Sequence, residues 1–447
     1  MKKKSKITND IKPTKIIPIG FMGVIFIGTL LLMLPISTRS GYLSFFDALF
    51  EATSATCVTG LIVVDTATTF TNFGQFVLLL LIQLGGLGFM AVATILFVIL
   101  GKKISLKERM TMAESMGEDR LQGIIKLAVQ MAKITFIVEG CGALLLMIRF
   151  IPDFGVMQGI WKSIFTSVSA FCNAGFDLMG NYQSLVNYAN DPLINITICL
   201  LIVIGGLGFG VIQDILIKKN HFKNYRLQTK VVLTVTLGLI FIPAIIFYLL
   251  EQDATMGMLT PGGKILASIF QSVTCRTAGF NTIDQLAMKN SSKLLSIGLM
   301  FIGGAPAGTA GGIKLTTISV MFFSIRSYLK GNQKAEAYER YISRSTIIKA
   351  FSIFFIAFTT LITGVFIVSI VEGDHLGFIN QLYELTSAIA TVGLSVGVSG
   401  TASLLTRAII CLMMFTGRVG ILTVAFAVGG KKEKPYIQYP EADIMVG

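Results

Sequence analysis

Four short stretches contain an aromatic residue, small and hydroxyl-bearing residues, a glycine and a bulky apolar residue in the same order. They read FEATSATCVTGL from Phe50, FTSVSAFCNAGF from Phe165, FQSVTCRTAGF from Phe270 and YELTSAIATVGL from Tyr383. Their glycines are Gly60, Gly175, Gly279 and Gly393, spaced by 115, 104 and 114 residues. Similar stretches at a nearly constant spacing predict a fourfold internal repeat.

Glycine loops of this kind are suited to binding a dehydrated cation through backbone oxygen atoms. A ring of loops can aim its carbonyls at a central axis and replace the water shell of a permeating ion. Glycine permits positive φ and a close approach of backbones, which a side chain would obstruct. If each loop follows a short helix that enters a membrane halfway, the partly negative C-terminal end of that helix also faces the cation. We therefore expect a cation pathway to which each repeat contributes one loop.

The composition is that of an integral membrane protein: 53% of the 447 residues are hydrophobic, 14% are charged, and the mean hydropathy is +0.75. Spanning a bilayer takes about 20 apolar residues, and runs of that length predict eight transmembrane helices at 16–36, 73–100, 127–148, 193–217, 231–250, 294–325, 347–371 and 408–428. Shorter runs predict four re-entrant pore helices at 44–56, 159–172, 264–275 and 378–390. The expected fold is all-α, with four tandem membrane-pore-membrane repeats around one pore.

Charge placement predicts the orientation in the membrane. Lysine and arginine are concentrated in the N-terminal tail and in the segments 102–133, 218–230, 326–349 and 431–434. Such an excess is typical of cytoplasmic loops, so both termini are expected in the cytoplasm. The predicted units are the tails 1–15 and 431–447 and repeats at 16–107, 120–219, 229–329 and 345–430.

The predicted outer side is rich in acidic residues, which we expect to form a vestibule that concentrates cations. They are Asp47, Glu51, Asp65, Asp153, Asp177, Asp191, Glu251, Asp253, Asp284, Glu372, Asp374 and Glu384.

The third inner helix is interrupted by IGGAPAGTAGGIK, residues 302–314. Proline and repeated glycine disfavour a continuous helix there, and irregular backbone at membrane depth is tolerated only inside protein or beside water. A phosphate-binding loop is the competing interpretation, and it is disfavoured because the GxxxxGK[ST] spacing and a preceding strand are absent. We predict a gating loop below the four glycine loops, with candidate residues Gly303, Gly304, Gly308, Gly311, Gly312 and Lys314.

Four ionisable residues fall within the predicted spans or loops, where such groups are usually functional. Arg418 interrupts the last span, and it is interpreted as an electrostatic barrier or as a donor to carbonyls of the gating loop. Lys314 has the same two interpretations, with extension to the inner surface as the alternative. Arg276 is expected to hold its glycine loop in place through carbonyls or an acidic neighbour. Glu139 is expected to pair with another helix or to contact coupling cations.

Taken together, the motifs resemble the superfamily of Trk, Ktr and plant HKT potassium transporters, most closely the bacterial Ktr potassium-uptake membrane subunit. The resemblance covers essentially the whole chain. It is carried by LLMLPIS at 31–37, DALFEATSATCVTGL at 47–61, QLGGLGFM at 83–90, the NAGF and RTAGF loops, GGIKLTT at 311–317 and the final GRVG. The departures are a third stretch that is one residue shorter and the presence of Cys57, Cys172 and Cys275, which are interpreted as small apolar fillers.

The resemblance implies a selectivity filter, with K⁺ bound at backbone carbonyls of Gly60, Gly175, Gly279 and Gly393. Its members would be Val58, Thr59, Gly60, Asn173, Ala174, Gly175, Thr277, Ala278, Gly279, Thr391, Val392 and Gly393. A serine at the first filter glycine goes with sodium preference in this superfamily, so Gly60 implies K⁺ selectivity. The resemblance also implies gating by the 303–312 loop above Arg418.

The same resemblance implies a homodimer in the cytoplasmic membrane, controlled by a cytosolic ring of RCK-type subunits that bind ATP or ADP. It further implies Na⁺ as an activator and no covalently bound cofactor. The leading interpretation is channel-like potassium uptake, and the alternative is an alternating-access symporter that couples K⁺ to Na⁺ or H⁺. An enzyme is disfavoured because only His221 and His375 are present and no carboxylate pair is suitably spaced for acid–base chemistry. Nucleic-acid binding is also disfavoured, since the net charge of +13 mainly reflects the membrane orientation.

Overall fold

The structure is a computed structural model that describes residues 13–88, 91–92, 94, 109–110, 112, 122–219, 221–332, 334–421 and 423–424. These residues are mostly helical, and the prediction of a helical membrane protein is confirmed. The described strands are Glu336–Ala337 and Arg340–Tyr341, which form one antiparallel hairpin.

Helices follow the order outer, short, inner four times along the chain, and we number these sets as units one to four. The outer helices are Pro13–Leu32, Ile124–Phe154, Leu227–Glu251 and Arg344–Glu372. The short helices are Phe45–Thr56, Val156–Cys172, Pro261–Thr274 and Phe378–Ile389, close to the predicted re-entrant segments. The inner helices are Asn72–Leu87, Pro192–Gly206 with Phe209–Lys218, Asn290–Phe301 with Leu315–Leu329, and Leu404–Val419.

Smaller elements join these helices. One-turn helices lie at Thr66–Thr69 and Val398–Thr401, and 3-10 turns at Pro35–Ser37, Val186–Tyr188, Phe222–Asn224 and Gly373–Leu376. Glycine with positive φ separates an outer helix from its short helix in two units, at Gly155 (φ +78°) and Gly377 (φ +69°). A sharp reversal is possible there because glycine adopts this conformation at low cost.

Among the described residues, three helices are long and apolar enough to cross a membrane: Ile124–Phe154, Leu227–Glu251 and Arg344–Leu376. The pair Pro192–Gly206 and Phe209–Lys218, bent by 97°, qualifies when taken together. Other predicted spans correspond to the shorter apolar helices Ile16–Leu32, Asn72–Leu87 and Leu315–Leu329, or extend into 95–100 and 425–428, outside the described residues. Large apolar side chains such as Phe136 and Ile137 are 63% and 65% exposed on the second outer helix. Such a surface suits a lipid environment, so the protein is a multi-pass membrane protein.

Glycines of the inner helices have two distinct roles. A Cβ on Gly85, Gly205 or Gly417 would clash with a backbone carbonyl at the end of the adjoining short helix, at Thr56, Phe171 and Ile389 respectively. Three residues further on, Gly88, Gly208 and Gly420 have φ of +80°, +85° and +99° and terminate or bend their helices. In each of these helices, one glycine therefore allows close packing and a second glycine, three residues later, allows the helix to end or bend.

The third inner helix stops at Phe301 and resumes at Leu315, where glycine and proline predict a break. The intervening 302–314 loop is closed at its base by the Gly303 amide, which donates to the Ile313 carbonyl at 2.8 Å. The Leu315 amide donates to the Gly304 carbonyl at 3.0 Å. The 302–314 segment is therefore an ordered loop whose two ends are joined by backbone hydrogen bonds.

Gly417→Ala is expected to destabilise the protein by about 1–3 kcal/mol, since its methyl group overpacks the contact with the Ile389 backbone. The matched control is Gly140→Ala, because a Cβ at this exposed helical position meets nothing within 4 Å. Thermal unfolding of purified protein in detergent measures both. Equal melting temperatures for the two variants would contradict the close-packing role of Gly417.

Candidate functional site

The loop after each short helix has a repeated backbone conformation. Two residues before each glycine, Val58, Asn173, Thr277 and Thr391 have φ of +55°, +59°, +68° and +52°. The glycines have φ of +95°, +70°, +82° and +91°, whereas the residue between each pair does not have a positive φ. In an extended strand, consecutive carbonyls point to opposite sides. Alternation in the sign of φ rotates every second peptide plane, so consecutive carbonyls come to one side of the loop.

Amide groups of the loops point back toward the short helices. The Thr59 and Val392 amides donate to the carbonyls of Ser54 and Ser387 at 2.9 and 2.8 Å. The next amides, of Gly60 and Gly393, donate to the hydroxyls of the same serines at 3.1 and 3.0 Å. Since the amides are held on the helix side, the carbonyls are directed away from it. Sequence reasoning did not single out these serines, although each lies six residues before its glycine.

The four glycines meet in a closed ring. A Cβ built on Gly60 would lie 3.0 Å from the Gly175 Cα, and one on Gly175 would lie 2.8 Å from the Gly279 Cα. A Cβ on Gly279 would lie 3.3 Å from the Gly393 Cα, and one on Gly393 would lie 3.0 Å from the Gly60 Cα. Residues more than 100 positions apart in sequence therefore pack backbone against backbone, in chain order, around one centre.

Two buried carboxylates support the segments that follow the first and fourth loops. Glu51 accepts hydrogen bonds from the amides of Val63 and Val64 at 2.8 and 3.2 Å. Glu384 lies at the same distance before its glycine and accepts from the Val396 and Ser399 amides at 2.9 and 3.0 Å. Each of these side chains accepts from two backbone amides beyond its loop, so it helps to hold the segment that follows the loop.

The expected acidic vestibule is therefore wrong in part. Four of its predicted members are buried and bonded to local groups, namely Glu51, Glu251, Glu372 and Glu384. Others are exposed, including Asp153, Asp253, Asp284 and Asp374.

The third loop is held differently from the first and fourth. Its stretch is one residue shorter, and Val273 lies at the position where the other three units have serine. The Ala278 amide donates instead to the Thr274 carbonyl at 3.0 Å. Arg276 is 4% exposed, and its guanidinium donates to the Thr236 carbonyl of the outer helix at 3.3 Å. The expected partners of Arg276 are carbonyls or an acidic neighbour, and the partner observed is the Thr236 carbonyl.

The 302–314 loop packs directly against the ring. Gly311 lies against the Thr391 side chain, and Gly312 against the Ala390 backbone. Its Thr309 donates through the hydroxyl to the Phe171 carbonyl at 3.0 Å and through the amide to the Gly205 carbonyl at 3.2 Å. The loop therefore joins its own unit to the second and fourth units.

Arg418 links this loop to the first unit. Its guanidinium donates to the Thr309 carbonyl and to the Gly85 carbonyl, and to the Gly86 carbonyl at 3.2 Å. Lys314 does not extend to the surface, because its Nζ donates to the Ala310 carbonyl within the loop at 2.7 Å. A cavity of about 200 Å³ beside Arg418 and Lys314 is also lined by Gly308 and Gly312.

Glu139 lies behind the second short helix, where Gln83 of the first inner helix donates to its carboxylate at 3.3 Å. Glu139 therefore pairs with another helix, as one of its two interpretations predicts, and its partner there is the side-chain amide of Gln83. The Cys172 Sγ lies 3.8 Å from the carboxylate, and Cys57, Cys172 and Cys275 are fully buried. Their burial agrees with the interpretation as apolar fillers.

Comparisons with known proteins agree with this arrangement. The family model TrkH, described as a cation transport protein, matches residues 3–435. The chain is 42% identical to the "Ktr system potassium uptake protein B" of Bacillus subtilis, covering 97% of each chain. It is 38% identical to the "Potassium/sodium uptake protein NtpJ" of Enterococcus hirae, covering 99% of each.

The fold is similar to the crystal structure of the "Potassium Transporter TrkH" from Vibrio parahaemolyticus. The TM-score is 0.72 at 17% identity, and the match covers 96% of this chain and 86% of the other. The expected superfamily is confirmed, as is the expectation that the protein is not an enzyme. The chain belongs to the TrkH family of cation transport proteins.

Proposed function

We propose that the protein takes up potassium through a channel-like pore whose selectivity filter is the ring of four loops. The observation that carries this proposal is the closed ring of Gly60, Gly175, Gly279 and Gly393. Carbonyls brought to one side of each loop supply oxygen ligands of the kind that replaces the hydration shell of K⁺. The fold class within the proposal is four membrane-pore-membrane repeats around this ring. The names of the relatives from Bacillus and Enterococcus support potassium as the ion.

The filter in this proposal consists of residues 58–60, 173–175, 277–279 and 391–393. Short helices direct their partly negative C-terminal ends toward the ring and favour a cation there. The buried guanidinium of Arg276 holds the third loop against its outer helix.

The 302–314 loop is the proposed gate, and Arg418 is its latch. The latch is supported by the three carbonyls to which Arg418 donates, because they belong to the loop and to the first inner helix. Lys314 stiffens the loop from within through Ala310. Opening would require these donor contacts to break, so the gate has a defined closed arrangement that a regulator can bias.

The remaining parts of the proposal concern the cellular setting. We place the protein in the cytoplasmic membrane as a homodimer with cytoplasmic termini, under a cytosolic RCK-type ring that binds ATP or ADP and with Na⁺ as an activator. The full-length similarity to a protein named as part of a Ktr system supports a multisubunit assembly.

Gly60→Ser is expected to lower the preference for potassium over sodium by about tenfold or more. Its side chain would be forced against the Ala174 carbonyl at a φ of +95°, and the ring would have to open. Rubidium and sodium uptake in a bacterium that lacks potassium uptake, across external potassium and with sodium present or absent, measures the change.

Gly41→Ser is the matched control, since Gly41 also has positive φ (+72°) but a Cβ there meets nothing within 4 Å. An unchanged ion preference in a well-expressed Gly60→Ser protein would contradict the filter assignment.

Arg418→Ala is expected to raise basal rubidium flux about tenfold, because charge-assisted hydrogen bonds that hold the loop closed are lost. Arg418→Lys retains the charge but not the forked donor geometry, so an intermediate flux is expected. Proteoliposome flux at equal protein content gives the comparison, with size-exclusion chromatography as the check on assembly. Intact protein with wild-type flux in both variants would argue against the latch.

A further inference from the structure

A second cavity, of about 720 Å³, lies away from the ring. It is enclosed by the start of the second outer helix, the second half of the bent inner helix, Phe209–Lys218, and the start of the third outer helix. Its lining includes Lys126, Gln130, Gln213, Arg226, Pro306 and Ala307. The volume lies in the range of about 300–1,000 Å³ that ligand sites occupy.

The cavity is lined by two basic side chains. The side chains of Lys126 and Arg226 are exposed, and neither has a hydrogen-bond or ion-pair partner among the described residues. Asp214, an acidic residue of the bent helix, already binds Lys218 at 2.9 Å, the Thr229 hydroxyl at 2.8 Å and the backbone amide of Arg226 at 2.9 Å. Unpaired lysine and arginine side chains are the usual ligands of phosphate groups.

One helix start adds to this charge. The second outer helix begins at Ile124 without a side-chain cap from the residue before it, whereas the start of the third outer helix already has the Asp214 carboxylate, which accepts from the Arg226 amide at 2.9 Å. An uncapped helix start exposes unsatisfied amides and carries a partial positive charge, which favours an anion.

One wall of the cavity suits a lipid rather than a soluble anion. Ile217 of the bent helix lines the cavity and is 70% exposed, and the adjacent Leu216 is 63% exposed. A phosphate ester attached to acyl chains satisfies the cations and covers these apolar side chains together. Basic pockets between membrane helices on the cytoplasmic side bind anionic headgroups in this way.

We propose that this cavity binds the phosphate headgroup of an anionic phospholipid of the inner leaflet through Lys126 and Arg226. The headgroup would touch the 302–314 loop at Pro306 and Ala307. The Ala307 carbonyl accepts from the Phe209 amide of the bent helix at 3.0 Å, so that helix and the loop are joined at the cavity. The choice of the inner leaflet rests on the proposed orientation, and the effect on ion flux rests on the proposed function of the loop; the binding of an anionic phospholipid in the cavity rests on neither.

The test uses the full-length protein in detergent, titrated with phosphatidylglycerol, phosphatidylcholine, inorganic phosphate or ATP. Lipid binding is counted by native mass spectrometry and followed by thermal shift. Phosphatidylglycerol is expected to bind to the wild-type protein. In the double variant Lys126→Gln, Arg226→Gln its affinity is expected to fall about ten- to thirtyfold, at roughly 1 kcal/mol per basic residue. The single variant Lys126→Gln is expected to have a phosphatidylglycerol affinity between those of the wild type and the double variant.

Arg344→Gln with Lys349→Gln is the matched control, because both side chains are exposed near the start of the fourth outer helix and neither lines the cavity. This variant should bind phosphatidylglycerol as wild type does. Equal binding by the Lys126 and Arg226 variant would overturn the site. Competition by inorganic phosphate or ATP at the same concentrations would overturn the lipid assignment.

Rubidium flux in proteoliposomes with and without phosphatidylglycerol separates the two proposals. Lipid binding without any potassium-selective flux would sink the proposed function and leave the site. Normal flux with no lipid difference and no binding would sink only the site.

Discussion

The structure depends on the close approach of four backbones that no side chain separates. At the ring, the glycine Cα atoms of successive loops approach so closely that a single added methyl group would push one loop away. The same constraint recurs one layer out, where Gly85, Gly205 and Gly417 let the inner helices touch carbonyls at the ends of the short helices. Contact at both layers places the helix ends, and hence their partial charges, next to the ring.

Some of the polar groups that this packing buries have local partners, and these partners fix the loops. Ser54 and Ser387 hold loop amides, while Glu51 and Glu384 hold the segments beyond. A buried donor or acceptor without a partner is costly, so these bonds resist distortion of the ring. Arg418 forms hydrogen bonds of this kind between units, since its guanidinium donates to the carbonyls of Thr309 in the third unit and Gly85 in the first.

Much of this arrangement could be predicted from the residues. Recurrence of the glycine stretches predicted four equivalent loops, and glycine with Pro306 predicted the break at 302–314. The partners of Arg418 could not be predicted, because they are main-chain carbonyls of Gly85, Gly86 and Thr309, which carry no sequence signal. Burial of Glu51 and Glu384 was missed for a related reason. A glutamate is written the same way in the sequence whether its carboxylate accepts from backbone amides or faces water.

The third loop shows that the four quarters of the ring need not have the same sequence. Because all four loops belong to one polypeptide, a substitution changes one quarter of the ring, whereas in a tetramer of identical subunits it would change every quarter. The third stretch already uses this freedom, with Val273 in place of serine and Arg276 as its own anchor. Each quarter of the ring can therefore change independently of the other three, which a ring of identical subunits does not permit.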